Sequence, residues 1–316
     1  MQQSAKRQRL HFNKLPGFPY GKPGLFKFYT EALASKKEFF MKLFEEIITS
    51  RNNPQVKWAA SLQDKKGRDA SSTFIAEGEK LTFEAFDSGL PVSHVFIDEG
   101  RFDAIFGRLS AYDTNPQYRD TVIYRLSNAA FSKISTEKAP QGIISAIKYL
   151  DFFREVDIIY KEDFCLLPDE RAILLCSVRD PGNLGAIIRS SVAFGVDSII
   201  ISSDTVDLYN PKTVRSAMGS LFRVKITRVK SLENFISTAR SVGRAVYAAE
   251  LSRGALPLGE LKLSPTDLVM IGNEGHGIPT ELSAACTGSV YIPISKKTES
   301  LNAAVAAALF MWEQSK

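Results

Sequence analysis

Short apolar runs, separated by polar turns and by segments of helical periodicity, dominate the second half of the chain. The runs are three to six residues long and consist mostly of branched aliphatic residues and alanine. Buried strands of a parallel sheet have this length and composition. The pattern therefore predicts an α/β domain with a largely parallel sheet over residues 170–316. Its predicted strands are residues 173–178, 198–202, 222–226, 245–249, 268–271 and 290–292.

A smaller unit with a similar mixture of patterns precedes this domain. Residues 57–64 and 78–88 have helical periodicity, whereas residues 64–69 are a run of charges that predicts an exposed loop. These segments, together with further strand-like runs, predict a small α/β domain over residues 54–150. Its predicted strands are residues 73–76, 95–97, 122–124 and 143–147.

Less regular segments flank the small domain. Apolar residues at helical spacing predict an amphipathic helix within residues 29–49, before the break at Pro54. Residues 149–169 mix aromatic and acidic side chains without a period, which indicates an interdomain linker with some order of its own. The predicted organisation is an extension at 1–53, the small domain at 54–150, a linker at 151–169 and the large domain at 170–316.

Composition narrows the class of protein. The chain of 316 residues is 44% hydrophobic, enough for two cores. No apolar run approaches the ~20 residues of a membrane helix, so we expect no membrane segment. The three cysteines and three histidines are scattered, without the spacing of a zinc site. We therefore expect a protein of the cytoplasm that needs no metal.

The distribution of charge indicates a polyanionic partner. The net charge is +5, and the first 30 residues carry six cations and no acid, interleaved with six aromatic residues. Such a mixture suits phosphate neutralisation and base stacking. A disordered arm, or one that only packs against the rest of the protein, explains the same segment equally well. An organellar transit peptide is a further alternative, although three prolines argue against its long helix.

Loops suited to a ligand follow three of the predicted strands. Residues 272–277 (GNEGHG) contain three glycines, which allow close backbone approach. A polar loop follows residues 290–292, and the turn at 179–183 ends at Asn183, with Arg189 about two helical turns further on. Because parallel strands end at a common edge, these loops predict one pocket. Glycine-rich turns that bind nothing are the alternative.

Three ordered motifs carry a family resemblance. The sequences DPGNLGAIIRSSVAFG, IGNEGHGIP and IPISKKTESLNAAVAAAL resemble the motifs of the SpoU (TrmH-type) family of SPOUT RNA ribose 2′-O-methyltransferases. Residues 61–89, followed at a distance by APQGIISAI, resemble the ribosomal-protein-like substrate-binding domain of such enzymes. The resemblance implies S-adenosylmethionine as cofactor, a deep trefoil knot in the large domain and a homodimer.

The resemblance also implies roles for individual residues. Arg189 would bind phosphate and stabilise the oxyanion rather than act as a base, because a guanidinium stays protonated. Glu274 and Asn302 would orient Arg189 and the loops, and His276 is given little weight. The implied catalytic residues are Asn183, Arg189, Glu274, Ser300 and Asn302. The implied cofactor-binding residues are Gly272, Ile292 and Leu301. The implied RNA contacts are Lys65, Lys66, Arg68, Lys212 and Arg215.

These residues predict a methyl transfer from S-adenosylmethionine to a ribose 2′-hydroxyl, with ribosomal RNA as substrate because of the small domain. A transfer RNA enzyme and a non-catalytic RNA-binding factor in ribosome assembly are the alternatives. A nucleotide-dependent dehydrogenase is disfavoured, because the turn at residues 182–185 lacks the G-x-G-x-x-G pattern.

Overall fold

The computed structural model describes residues 41–316, which form two sheets flanked by helices. The basic and aromatic segment at 1–30 lies outside these residues, as does most of the helix predicted at 29–49. Within residues 41–316, no helix has both the length and the apolar character needed to cross a bilayer.

The first sheet belongs to the small domain and has five strands in the order β1-β4-β3-β5-β2. Strand β5 is antiparallel to β3 and β2, and the remaining pairs are parallel. The strands are β1 (Lys42–Leu43), β2 (Thr73–Glu77), β3 (Val92–Asp98), β4 (Val122–Leu126) and β5 (Ile143–Lys148). The helices are α1 (Pro54–Ser61), α2 (Lys65–Ser71), α3 (Glu79–Asp87), α4 (Phe102–Leu109) and α5 (Asn128–Ile134).

Side-chain alternation along β3 divides the core of the small domain into two layers. Phe96 lies in one buried cluster with residues of α1 and α5, whereas Val95 and Ile97 lie in another with residues of α3 and α4. The second cluster continues into the large domain, where it includes Val214 and Phe222. The two domains therefore share part of one core.

The second sheet has eight strands in the order β11-β13-β10-β12-β7-β8-β9-β6, and every pair is parallel. The strands are β6 (Phe153–Val156), β7 (Ala172–Leu175), β8 (Ser198–Ser202), β9 (Lys225–Val229), β10 (Val246–Ala249), β11 (Leu256–Pro257), β12 (Leu268–Ile271) and β13 (Gly288–Tyr291). The helices are α6 (Pro181–Ala193), α7 (Pro211–Ala217), α8 (Leu232–Ser241), α9 (Thr280–Ala285) and α10 (Ala303–Gln314). Strand order agrees with the predicted parallel α/β domain. The trefoil knot stays a prediction.

Local sequence explains where the helices that carry the site begin. Helix α6 starts at Pro181 after Asp180, whose carboxylate accepts a hydrogen bond from the Asn183 backbone. Helix α7 starts at Pro211 after Asn210 in the same way. A short polar side chain before proline satisfies a free backbone amide and presets the first helical residue.

Two sequence predictions are wrong in detail. Residues 41–49 are not helical; β1 and the chain after it run beside β4, with Phe44 N donating to Ile123 O at 2.9 Å. The strand predicted at residues 222–226 begins three residues later, because a 3₁₀ helix spans Met218–Phe222 and β9 spans Lys225–Val229. The segment predicted as a linker with some order of its own contains β6, which pairs with β9.

The prediction of a charged, exposed loop at residues 64–69 is also wrong. This segment begins α2, which lies over Ser61 so closely that Gly67 has no room for a side chain. Its Arg68 is only 2% exposed and donates to the carbonyl oxygens of Leu62 and Gln63, at 2.8 and 2.7 Å. It also forms an ion pair with Asp207 of the large domain. Arg68 is therefore a junction residue and is not available to RNA phosphates.

Aromatic stacking completes the junction around Asp207. The ring of Tyr209 stacks on Tyr149 with centroids 4.2 Å apart and on Phe74 with centroids 4.7 Å apart. The Tyr209 hydroxyl accepts a hydrogen bond from Leu150 N at 2.9 Å. Burial raises the pKa of Tyr209 to about 12, so the phenol stays neutral and keeps its donor. The junction is thus a packed interface.

Candidate active site

The loops after β12, β7 and β13 meet at the carboxyl edge of the large sheet. Strand β12 pairs with β7, with Ile271 opposite Leu175, so the loops that follow these two strands leave the sheet side by side. Together with the segment after β13 they enclose a cleft of about 930 Å³. The cleft is lined by Ser177, Arg179, Asp180, Asn183, Asn273, Glu274, Gly275, His276, Gly277, Pro279, Ser300, Leu301, Asn302 and Ala303.

A chain of three polar side chains connects the three loops. Asn183 donates from Nδ2 to Glu274 Oε1 at 2.8 Å, and its Oδ1 accepts from Asn302 Nδ2 at 2.9 Å. Asn302 also caps α10, because its Oδ1 accepts from Ala304 N at 2.9 Å. The two asparagines therefore fix the starts of α6 and α10 against Glu274.

The electrostatics of this network keep Glu274 ionised. Burial by itself would raise the pKa of Glu274. The hydrogen bond from Asn183, together with backbone N–H groups of residues 179, 180 and 274, outweighs burial and lowers the pKa below its ordinary value. A negative charge thus persists in the cleft near neutral pH, where a sulfonium cation would find a favourable counter-charge.

The loop at 272–277 is a tight turn closed by its own backbone. Asn273 and Gly277 exchange backbone hydrogen bonds at 2.9 and 3.0 Å, and Gly277 has a positive φ of 67°. A Cβ on Gly272 would lie 2.6 Å from the carbonyl carbon of Gly277. Glycine is therefore required at residue 272 by the turn itself. Asn273 ties the turn to the loop after β7 by donating to Ser177 O at 2.7 Å.

His276 lines the cleft as an exposed side chain. Its Nδ1 lies 3.2 Å from Asn273 Oδ1, which also accepts from the backbone N–H groups of Gly275 and His276 at 2.9 and 3.0 Å. The ring thus lies within hydrogen-bonding distance of its own loop.

Two cations flank the cleft, each paired with a carboxylate. Lys212 Nζ lies 3.0 Å from Asp180 Oδ2, and Arg179 Nη2 lies 2.7 Å from Asp204 Oδ2. The backbone N–H of Asn183 and the Lys212 ammonium lower the pKa of Asp180. Both pairs are about half exposed, so they can exchange partners with a ligand.

The structure separates the predicted site residues into three groups. Asn183, Glu274, Ser300, Leu301 and Asn302 line the cleft. Gly272 does not line the cleft but packs against Gly277 of the loop that does, and Ile292 packs half-buried against the core. The predicted RNA contacts Lys65 and Lys66 are exposed on α2, where Lys65 pairs with Asp69.

Arg189 does not line the cleft of its own chain. It follows Asn183 by six residues on α6, which turns its side chain roughly 240° round the helix axis. It is exposed there, on the face that also carries Ala186 and Ala193. A single chain therefore does not bring all five predicted catalytic residues together.

One further loop, which the sequence did not predict, leaves the sheet at the same edge but does not line the cleft. Strand β10 lies between β13 and β12, so residues 250–254 leave the sheet between the two predicted ligand loops. Leu251 in this segment is 81% exposed. The strand at 245–249 was predicted, but its place in the sheet depends on strand order, which no local pattern reveals.

Comparison with known proteins identifies the family. Residues 170–312 match the model of the SpoU rRNA Methylase family, and residues 53–145 match an MRM3-like substrate binding domain. The 23S rRNA (guanosine(2553)-2′-O)-methyltransferase RlmP of Bacillus subtilis (strain 168) is 33% identical over 272 residues, covering 84% of this chain and 97% of the relative.

The chain belongs to the SpoU rRNA methylase family.

Two further relatives of this SpoU protein add detail. A 23S rRNA (uridine(2479)-2′-O)-methyltransferase of Streptomyces viridochromogenes is 27% identical, covering 84% of this chain and 90% of the relative. The crystal structure of an AdoMet-bound rRNA methyltransferase from Sinorhizobium meliloti has a TM-score of 0.71 and 29% identity, covering 87% of this chain and 97% of that one. The predicted family, the SPOUT fold class, the enzyme class and S-adenosylmethionine as cofactor are confirmed.

The cleft itself fits this cofactor. Its volume of about 930 Å³ is within the usual range of small-molecule sites. Leu301 and the backbone of the 272–277 loop offer apolar and peptide surface for an adenosine, and Glu274 offers the counter-charge described above. Among residues 41–316, no cluster of three or more histidine, cysteine, aspartate or glutamate side chains could hold a metal.

Proposed function

We propose that this SpoU protein transfers the methyl group of S-adenosylmethionine to a ribose 2′-hydroxyl of large-subunit ribosomal RNA. The observation that carries the proposal is the Asn183–Glu274–Asn302 network, which joins the three family motifs around one cleft. Both relatives are named as 2′-O-methyltransferases of 23S rRNA, but the nucleoside is guanosine in one name and uridine in the other. The proposal therefore specifies the sugar and leaves the base open.

The reaction requires the protein mainly to align the methyl donor with the ribose hydroxyl. The sulfonium supplies an activated methyl group, so the chain must bind the donor, orient the hydroxyl in line and manage one proton. We assign Gly272, Ile292 and Leu301 to the donor, with Ser300 beside them. Glu274 stays ionised and holds the three loops in position through its hydrogen bond with Asn183, which in turn bonds Asn302.

We propose that Arg189 acts at the cleft of a second copy in a homodimer. Helix α10 exposes an apolar stripe that includes Val305 and Trp312, 49% and 48% exposed, and it packs beside α6, which presents Arg189. Pairing of this face with its copy would cover the stripe and would bring the partner subunit's Arg189 towards the cleft. Its guanidinium would bind phosphate and stabilise the developing oxyanion.

Exposed cations on both domains are proposed as the RNA contact. Lys65 and Lys66 lie on α2 of the small domain, and Lys212 and Arg215 lie on α7 beside the cleft. Contacts of this kind position an RNA backbone and specify little sequence. We propose a cytoplasmic location, where ribosomal RNA is modified.

Radiolabelled methyl transfer tests the proposal. The full chain is incubated with methyl-labelled S-adenosylmethionine and, in parallel, with unmodified ribosomal or transfer RNA. We expect label in large-subunit ribosomal RNA. Label only in transfer RNA would make the protein a transfer RNA enzyme, and RNA binding without any transfer would indicate a non-catalytic factor.

A further inference from the structure

One carboxylate of the small domain holds a cation that is proposed to bind RNA. Glu137 forms an ion pair with Arg215 of α7, and the two side chains are 34% and 42% exposed. Arg215 is therefore neutralised in the RNA-free chain. The contacting oxygen, Glu137 Oε1, is buried in the pair, but the Arg215 side chain is partly exposed, so a phosphate can approach the guanidinium and compete with the carboxylate.

The small domain fixes Glu137 in this position. Glu77, at the end of β2, accepts hydrogen bonds from the backbone N–H and the hydroxyl of Thr136, both at 2.8 Å, and from the hydroxyl of Ser135. Ser135 Oγ in turn accepts from Glu137 N at 3.1 Å. The segment is thus built around an internal carboxylate, so Glu137 is presented to Arg215 by a defined turn.

Helix α7 connects this pair to the cleft. Lys212, one turn before Arg215, pairs with Asp180, which caps α6 and lines the cleft. The two helices touch closely, since a Cβ on Gly185 would lie 2.5 Å from Ser216 Cβ. Both cations of α7 are therefore held by carboxylates along a line from the small domain to the cleft.

We propose that Glu137 competes with RNA phosphate for Arg215 and thereby weakens the binding of RNA to the chain. The inference rests on the RNA substrate of the proposed function. Substrate that engages several contacts displaces the carboxylate, whereas RNA held by few contacts does not. An exposed ion pair is weak, so the effect is several-fold rather than thousand-fold.

Equilibrium binding of the full chain to poly(U), followed by fluorescence anisotropy over a range of salt concentrations, tests this role. We expect Glu137→Gln to bind about three- to fivefold more tightly at low salt. The slope of log K against log salt should steepen by about 0.7, the value for one additional phosphate contact on a single strand. Arg215→Gln should weaken binding, and the double variant should bind like Arg215→Gln alone.

Matched variants separate this role from general charge and from folding. Glu99→Gln removes the same charge from an exposed position of the small domain and should change affinity by much less. Glu137→Asp keeps the charge and should bind nearly like the wild type, and thermal denaturation checks that each variant is folded. Unchanged or weaker binding by folded Glu137→Gln, an equal gain with Glu99→Gln, or a gain that persists without Arg215 would overturn the inference. A wild-type chain that binds no RNA would instead contradict the proposed function.

Discussion

The domain junction and the cleft both join residues that are distant in sequence, but they do so in different environments. At the junction, Arg68 is 2% exposed and its partner Asp207 is 139 residues away. In the cleft, Asn183 reaches Glu274 over 91 residues through side chains that remain open to solvent. The buried pair holds the domains together, whereas the open network leaves polar groups available to a ligand.

This difference predicts which property each region controls. A buried charge that loses its partner has no water to replace it, so changes at the junction should reduce stability. Groups at the cleft can rehydrate, so changes there should reduce cofactor binding or turnover with little effect on folding. Variants that reversed this division would contradict it.

The largest effect on stability is expected from Asp207→Ala. It leaves the Arg68 guanidinium buried and without its carboxylate, and should lower the free energy of unfolding by about 3–5 kcal/mol. Chemical denaturation measures this. Asp157→Ala is the control, because it breaks the exposed Lys230–Asp157 pair and should cost less than about 1 kcal/mol. Equal losses in the two variants would contradict the contrast.

The next effect concerns turnover. Asn183→Ala removes the amide that links Glu274 to Asn302, and we expect methyl transfer to fall by about a hundredfold. The free energy of unfolding should change by no more than about 1 kcal/mol. Ser190→Ala, on the same helix but outside the cleft, should retain activity. A loss of activity that only followed unfolding would reject a role in the site.

A smaller effect is expected from the turn after β12. Gly272→Ala places a Cβ 2.6 Å from Gly277 and should weaken S-adenosylmethionine binding by about tenfold, with a stability loss of about 1–3 kcal/mol. Gly275→Ala is a matched control in the same loop, because its Cβ would meet nothing closer than 3.7 Å. Calorimetric titration of both variants distinguishes loop distortion from a general intolerance of alanine.

The smallest effect is the change of cofactor affinity at acidic pH. Hydrogen bonds lower the pKa of Glu274 in the folded chain, so its contribution to stability is present above the ordinary value of 4.5 and is lost as pH falls through the lower folded-state pKa. The same ionised carboxylate is the proposed counter-charge for the sulfonium. Affinity for S-adenosylmethionine should therefore be level from neutral pH to about pH 5 and fall only below it. Glu274→Gln should remove that acid limb; a decline that began near neutral pH would contradict the assignment.

Local sequence predicted the parts of the fold whose environment is uniform. Strands β8 and β12 are buried on both faces, so they contain the continuous apolar runs 199–201 and 268–271. The shared edge of parallel strands was enough to place Asn183 near Glu274.

The errors occur where a distant partner decides the outcome. Residues 64–69 resembled a solvated loop because their charges are visible in the sequence, whereas Asp207, which pairs with Arg68, lies 139 residues away. Residues 41–49 have a helical stripe, but pairing with β4 outweighs it. The position of Arg189 on α6 follows from helix geometry, whereas the role proposed for it depends on a second chain that the sequence only implies.

Mass spectrometry of nucleosides distinguishes ribose methylation from base methylation. Unmodified ribosomal RNA is incubated with the full chain and S-adenosylmethionine that carries a deuterated methyl group, and the RNA is then digested to nucleosides. We expect the heavy methyl on a ribose 2′-oxygen with the wild type and its near absence with Asn183→Ala. A heavy methyl on a base, or no transfer by the folded wild type, would show that the protein is not a ribose 2′-O-methyltransferase.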